Sequence, residues 1–227
     1  IVGEEPHRWS PLKRILVLVE GQTEERFIKD VLSPYLLSFN LAIIPTIVET
    51  KKLIGVPSRK GGGDFSKFKA DVLTLLGDTH ASAVTTLYDF YGFPKIPNVI
   101  ETIYKDIQQL EAAIANVINN QRFKPYLQRH EFEAFMFIEP ELTAKSALQR
   151  NKVGAIEGHR KAFDGVEDIN LDPKRAPSKR LESEIGKYNK PRLGAAITNE
   201  LGIERLIKEC PKFSLWVQWL KSHATNE

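Results

Sequence analysis

A single cysteine, Cys210, excludes a disulfide framework within the chain, and no cysteine or histidine pairs fall at zinc-ligand spacing. That usage fits a reducing, cytoplasmic setting. Long apolar runs are also missing. The most hydrophobic stretches, Ile15 to Val19 and Phe135 to Ile138, fall far short of the ~20 residues that cross a bilayer, and no secretory pattern opens the sequence. No membrane partner is expected. Nucleotide-binding signatures are absent as well. The glycine-rich stretch Gly55 to Gly63 lacks Gly-Lys-Ser/Thr, so it is no P-loop, and neither a Gly-x-Ser-x-Gly elbow nor a dinucleotide fingerprint occurs. ATP hydrolysis, if the system uses it, is expected on another chain. Internal repeats and low-complexity segments are lacking too.

What is present is a chain of 227 residues, 42% hydrophobic, enough to bury a sizeable core. The net charge of +3 names no partner, but its distribution is uneven. Lys51, Lys52, Arg59, Lys60, Lys67 and Lys69 stand against Asp64 alone. A second basic window contains Lys174, Arg175, Lys179, Arg180, Lys187, Lys190 and Arg192 against Glu182 and Glu184. Each window is therefore +5, and the remainder of the chain is acidic. Such segregation suits contact with a polyanion, the competing reading being solvated loops and helix faces.

Residues 1–13 read as a polar leader with Pro6 and Pro11. Arg14 to Glu20 is a continuous β-branched run of the kind buried on both faces of a parallel sheet, and a helix follows from about Thr23 to Leu37. Leu41 to Val48 predicts a second strand. Asp64 caps a helix marked by Phe65, Phe68, Val72, Leu75 and Leu76. Ser82 to Asp89 predicts a third strand, a long helix begins near Val99, and Lys124 to His130 predicts a short fourth strand. Glu131 to Leu148 reads as a helix broken near Pro140. Alternating units of this kind predict an α/β domain over 14–150, a mostly parallel sheet flanked by helices. Residues 151–227 read as a helical extension packed on the same domain, with helices over Leu193 to Glu209 and Pro211 to Lys221.

Ligands of open parallel sheets gather at the carboxyl ends of the strands. Three predicted strands deliver acids to that edge: Glu20, Asp89, and Glu131 with Glu133. Carboxylates converging from separate strands are what a hard divalent cation such as Mg²⁺ or Mn²⁺ needs, and phosphoryl-transfer chemistry follows from such a site. Glu24, one turn beyond Glu20, either reaches the same metal or serves only as a first-turn acid on the helix dipole. Strand-end acids also act as caps, and that reading stays open for each one singly. Lys179 and Arg180 follow Pro177 and Ser178 at a helix start. They either line that helix or bind phosphate, with Lys179 neutralising charge at the scissile group. Arg59 and Lys60 beside Gly61 to Gly63 suit a phosphate backbone or a solvated loop. His130 reads as a strand-end histidine with a local hydrogen bond rather than a base. Phe90, Tyr91 and Phe93 read as loop packing rather than as a platform for bases.

The run Glu20-Gly21-Gln22-Thr23-Glu24 after an apolar strand resembles the first motif of TOPRIM domains, the Rossmann-like catalytic domains of topoisomerases, primases and overcoming-lysogenization-defect nucleases. That pattern carries an Asp-x-Asp pair on a later strand. Here Asp89 supplies the first aspartate and Tyr91 replaces the second. More closely, the chain resembles the bacterial family DUF4276, regarded as TOPRIM-like. The shared motifs are VEGQTEERF (19–27), RKGGG (59–63), YDFYGFP (88–94), RHEFEAFMF (129–137) and APSKRL (176–181).

The resemblance implies a TOPRIM-type nuclease acting on nucleic acid, with DNA expected, in bacterial defence against phage or mobile DNA. Glu20 is implied as general acid/base or metal ligand and Asp89 as the principal ligand. Glu131 or Glu133 stands in for the absent second aspartate, on one metal or two. An SMC-like or AAA-type ATPase is the implied partner, and the oligomeric state is open. The alternative is a noncatalytic subunit that binds nucleic acid or such an ATPase through a degenerate site.

Overall fold

Lys13–Val19 forms β1. Ile15, Val17 and Val19 face one apolar layer while Leu16 and Leu18 face another, as an uninterrupted apolar run requires. A computed structural model describes residues 12–47, 64–169 and 175–224. The leader up to residue 11 and the basic stretch 48–63, with Arg59 and Lys60, lie outside the described residues.

The described strands make one parallel sheet. β2 (Leu41–Ile47), β1 and β3 (Ala83–Asp89) run side by side, and the two-residue β4 (Phe123–Lys124) and β5 (Leu127–Gln128) both pair with β3. Register is fixed by pairs such as Val17 with Pro45 and Val19 with Leu87. Pro45 sits in the outermost strand, where a missing amide costs no ladder bond on the open side. The chain leaves β1 for β2 on one side and later returns to β3 on the other. The carboxyl ends of β1 and β3 therefore mark the switch point where open sheets form crevices.

Helices cover both faces. On one, α1 (Gln22–Phe27) continues through a π-helical segment (Ile28–Leu32) into α2 (Ser33–Leu37) and buries Phe27, Ile28, Val31, Leu32 and Leu36. The Ser33 amide donates to the Ile28 carbonyl five residues back. Pro34 explains the widening, since it cannot donate to residue 30 and its ring crowds the turn before it. On the other face, α3 (Phe65–Leu76) starts at Asp64, whose carboxylate accepts the Ser66 amide at 2.9 Å. α4 (Ile107–Ile118) packs beside it through Leu110, Ile114 and Ile118.

Between Val99 and Leu148 the structure differs from the sequence expectation in three places. The long helix expected from Val99 is divided: Glu101–Lys105 is a 3-10 turn, and Asp106 then caps α4 by accepting the Gln108 and Gln109 amides. The single fourth strand becomes β4 and β5 because Pro125 has no amide to pair. The Thr86 hydroxyl bridges the gap, bonding the Tyr126 carbonyl at 2.8 Å and amide at 2.9 Å. Glu131 to Leu148 is a 3-10 segment (Phe132–Phe137) followed by α5 (Pro140–Ser146).

Beyond residue 150 follow α6 (Val153–Lys161), α7 (Pro177–Ile185), α8 (Lys190–Leu201), α9 (Ile203–Glu209) and α10 (Pro211–Lys221). Gly202, at φ 75°, separates α8 from α9. α6, α7 and α8 share an apolar cluster with Phe137 and Leu142, whereas Phe213, Trp216 and Leu220 of α10 lie in the sheet's own core. No helix among the described residues is long and apolar enough to cross a membrane.

Candidate active site

Glu20 directly follows β1; its amide donates to the Leu87 carbonyl and its Oε2 accepts the Asp89 amide at 3.2 Å. Glu20 and Asp89 are thus tied across the switch point. Gly21 occupies the N-cap of α1, in extended backbone, so the helix begins at Gln22 rather than at Thr23. That start turns Glu24 inward, and it is buried. The backbone beyond β3 stays beside the strand-end of β5: the Phe90 amide donates to the Gln128 carbonyl and the Tyr91 amide to the His130 carbonyl. Asp89 Oδ1 accepts the Phe132 amide at 3.0 Å, which anchors the Glu131–Glu133 segment next to the strand.

The two acids of that segment reach in differently. Glu131 precedes the 3-10 turn in extended backbone, and its Oε2 accepts the Ser178 amide at 2.9 Å. α7 has Ala176 at its N-cap with no side chain to cap it, so Glu131 caps the helix from a distance. Ser178, in the first turn of α7, is thus the residue whose amide is capped. Glu133 is buried inside the 3-10 turn, with Oε1 at 2.7 Å from Lys190 Nζ and 3.5 Å from the Tyr188 hydroxyl. Four of the five sequence motifs meet at this edge; the fifth, residues 59–63, lies outside the described residues.

Crowded carboxylates raise one another's pKa. Burial, then repulsion from Glu24 and Glu20, holds Asp89 well above the usual range. Glu24 is pushed up to about 7 by burial and by Glu20 and Glu133. Glu20 is raised by its packed surroundings and by Glu131 and Glu133, against the Asp89 amide. Burial opposes the charge on Lys190, but Glu133, Glu131 and Asp89 outweigh it and raise its pKa. Lys190 is the cation that sequence reasoning passed over. It stands at the N-terminus of α8, where the helix dipole disfavours a positive charge. Asn189 as cap and Pro191 in the first turn announce that start, so a lysine there signals a nearby acid.

Lys179 lies one residue beyond the Ser178 amide, but its ammonium pairs with Glu182 at 2.7 Å on its own helix. Lys190 and Lys187 also act on Glu182, so three lysines gather around that residue. Arg180 turns away, donating to the Arg175 carbonyl and lying over the Phe163 ring. His130 is buried; neither ring nitrogen makes a well-formed hydrogen bond, and the backbone group that acts on the ring is that of Glu167 rather than a local one.

Among the described residues no three acid, histidine or cysteine side chains already stand as a ligand shell around one point. The donor chemistry still fits a hard cation. Five carboxylates share the edge with one ammonium, and three of the acids are raised by burial first and by mutual repulsion second, both of which a divalent ion would offset. No curated protein and no solved structure matches the chain. A family model described as Domain of unknown function (DUF4276) matches residues 19–221, which span all four converging motifs, and the chain belongs to that family.

Proposed function

We propose that the chain is a Mg²⁺- or Mn²⁺-dependent phosphodiesterase of TOPRIM type that hydrolyses nucleic acid, with DNA as its substrate. The observation that carries this reading is the meeting of Glu20, Glu24, Asp89, Glu131 and Glu133 at the switch point of a parallel sheet, with Lys190 among them. Asp89 and Glu20, with Glu131 and Glu133, would hold the metal, which when bound supplies Lewis-acid activation of water and stabilisation of the leaving oxygen. Glu24, with a pKa near neutrality, is suited to accept the proton of the attacking water. Lys190 offsets charge building on the phosphate, and Lys179 and Lys187, grouped with it around Glu182, attract the backbone. A role in defence and an SMC-like or AAA-type ATPase partner rest on the family resemblance alone.

The second reading, a noncatalytic binding subunit, draws on two observations. Tyr91 stands where the TOPRIM pattern has an acid and its ring lies against His130 at 5.1 Å, and no ligand shell is preformed among the described residues. Incubating the chain with plasmid, single-stranded DNA and RNA in Mg²⁺ or Mn²⁺ separates the two. Cleavage by the wild type that Glu20→Ala and Asp89→Ala each reduce to background is the expected result. Cleavage untouched by both substitutions would overturn the site. Salt-dependent binding without cleavage would select the second reading.

A further inference from the structure

Next to the acids lies a cavity of about 580 Å³, in the range of about 300–1,000 Å³ usual for small-ligand sites. Phe90, Tyr91, Tyr104, Lys105, Arg129 and His130 are among the residues that line it. Its position is set by the chain, since Phe90 and Tyr91 directly follow Asp89 while Arg129 and His130 directly precede Glu131. The Tyr91 amide bonds the His130 carbonyl, so both walls are fixed to the backbone that presents the carboxylates.

The walls are aromatic and weakly cationic. Phe90 and Tyr91 lie 5.8 Å apart with their planes 33° from parallel, and Tyr91 and His130 repeat that tilt at 5.1 Å. Three rings thus form one curved ledge. Lys105 is exposed at its margin, and Arg129 is held by Asp168 at 3.2 Å. Asp106, the acid in the lining, is committed to capping α4.

His130 supplies an independent observation. Its backbone has φ 68°, a left-handed conformation unfavourable for a residue with a side chain. Its imidazole is buried, and although the Glu167 backbone acts on it, neither nitrogen makes a well-formed hydrogen bond, which is costly in a folded protein unless a ligand or partner uses them. A strained, unsatisfied polar ring in a cavity wall suits binding better than it suits packing.

The geometry points to this cavity as a subsite for an unpaired nucleobase, stacked on the Phe90–Tyr91 ledge next to the phosphate that the acids address. The substrate class is then a nucleic-acid strand with a single-stranded or extruded nucleotide beside the cleaved bond. Tyr91, where the TOPRIM pattern places an acid, becomes a stacking residue. A slight rotation of the His130 ring brings its neutral donor and acceptor to the base edge. Lys105 and Arg129 face the flanking phosphate. This inference rests on reading the acids as the hydrolytic centre, but its test does not require turnover.

Binding of a fluorescent oligonucleotide is measured by anisotropy in EDTA, so that no strand is cut. The ligands are DNA and RNA single strands of one sequence, the matching duplex, and a DNA strand with abasic positions. Tyr91→Ala is expected to weaken single-strand binding about tenfold or more, the scale of losing one stacked base. Tyr91→Phe should restore it. The abasic strand should bind the wild type as weakly as the intact strand binds Tyr91→Ala, and the duplex should bind more weakly than the single strand. DNA and RNA arms that agree place recognition on the base and phosphate, and a difference between them adds a sugar contact to the same subsite. Equal binding by wild type and Tyr91→Ala, indifference to abasic positions, or no binding of single strands by the wild type would each overturn the subsite. Loss of metal-dependent cleavage in Glu20→Ala with normal stacking would leave it standing, so failure here is separable from failure of the hydrolytic reading.

Discussion

Glu24 shows how a single side chain links stability to function. With an ordinary value of 4.5 and a folded value of about 7, it keeps a proton that the unfolded chain has already released. Stability contributed by this group therefore falls as pH rises from about 4.5 to about 7, and the loss is complete above that. Glu24→Gln removes the charge while keeping the shape. The variant should be more stable than the wild type at pH 8 by on the order of 2 kcal/mol and nearly equal to it at pH 5, measured by urea denaturation without metal. Mg²⁺ should raise the wild-type melting temperature and raise that of the variant less, because a cation relieves the repulsion that the substitution removes. A stability difference independent of pH would refute this account. Glu20, Asp89 and Glu24 could be read as neighbours because strand ends and the first helical turn are local features. Whether Glu131 or Glu133 joins them could not, because residues two apart share a face in a strand and not in a helix. The boundary falls between the two, and both reach the cluster. Lys190 was hidden for the opposite reason. Its partner Glu133 is distant in the chain, and only the assembled fold brings the two to 2.7 Å.

Between elements, the placement of Lys190 depends on how closely α8 approaches α1 and the 3-10 segment. Gly194 makes that approach possible: a Cβ there would stand 2.9 Å from Phe132 Cε1 and 3.4 Å from Thr23 Cγ2. Phe132 is buried in an aromatic cluster with Phe27 and Phe135, so it has little room to yield. It also sits between Glu131 and Glu133, and its amide binds Asp89. Gly194→Ala gains up to about 1 kcal/mol of helix propensity and loses about 1–3 kcal/mol to overpacking. The variant should be destabilised in urea and should lose cleavage activity beyond what the unfolded fraction explains, since displacing Phe132 moves two acids. A more stable Gly194→Ala would show that the helices have slack. None of this was legible from periodicity, which found the apolar face of α3 and the span of α10 but began α8 three residues late. Contacts of the small residue are set by its partner, not by its neighbours in sequence.

On the scale of the whole molecule, α10 joins the helical extension to the sheet of the α/β region. Trp216 of α10 stacks on Tyr126 at 4.4 Å with planes 11° apart, and its indole donates to the Thr85 hydroxyl of β3 at 3.0 Å. Lys212, in the first turn of α10, bonds Glu111 of α4 at 2.6 Å and the Leu127 carbonyl at 2.8 Å. The Glu167 carboxylate accepts the Lys212 and Phe213 amides, capping α10 from the chain between α6 and α7. The last described helix therefore closes one face of the sheet and holds β5, the strand from which the Glu131–Glu133 segment departs. Removing it would expose Ile15, Val17 and Leu87 and free that segment. Trp216→Ala should cost about 3–5 kcal/mol, while Trp216→Phe should lose chiefly the Thr85 hydrogen bond, about 1 kcal/mol. In a Trp9→Phe background only Trp216 and Trp219 of α10 emit, so tryptophan fluorescence reports on α10 and far-UV circular dichroism on the whole fold, and both should give one coincident urea transition. Two separated transitions, or a folded sheet after truncation before Pro211, would mean that the acid edge is built without the extension.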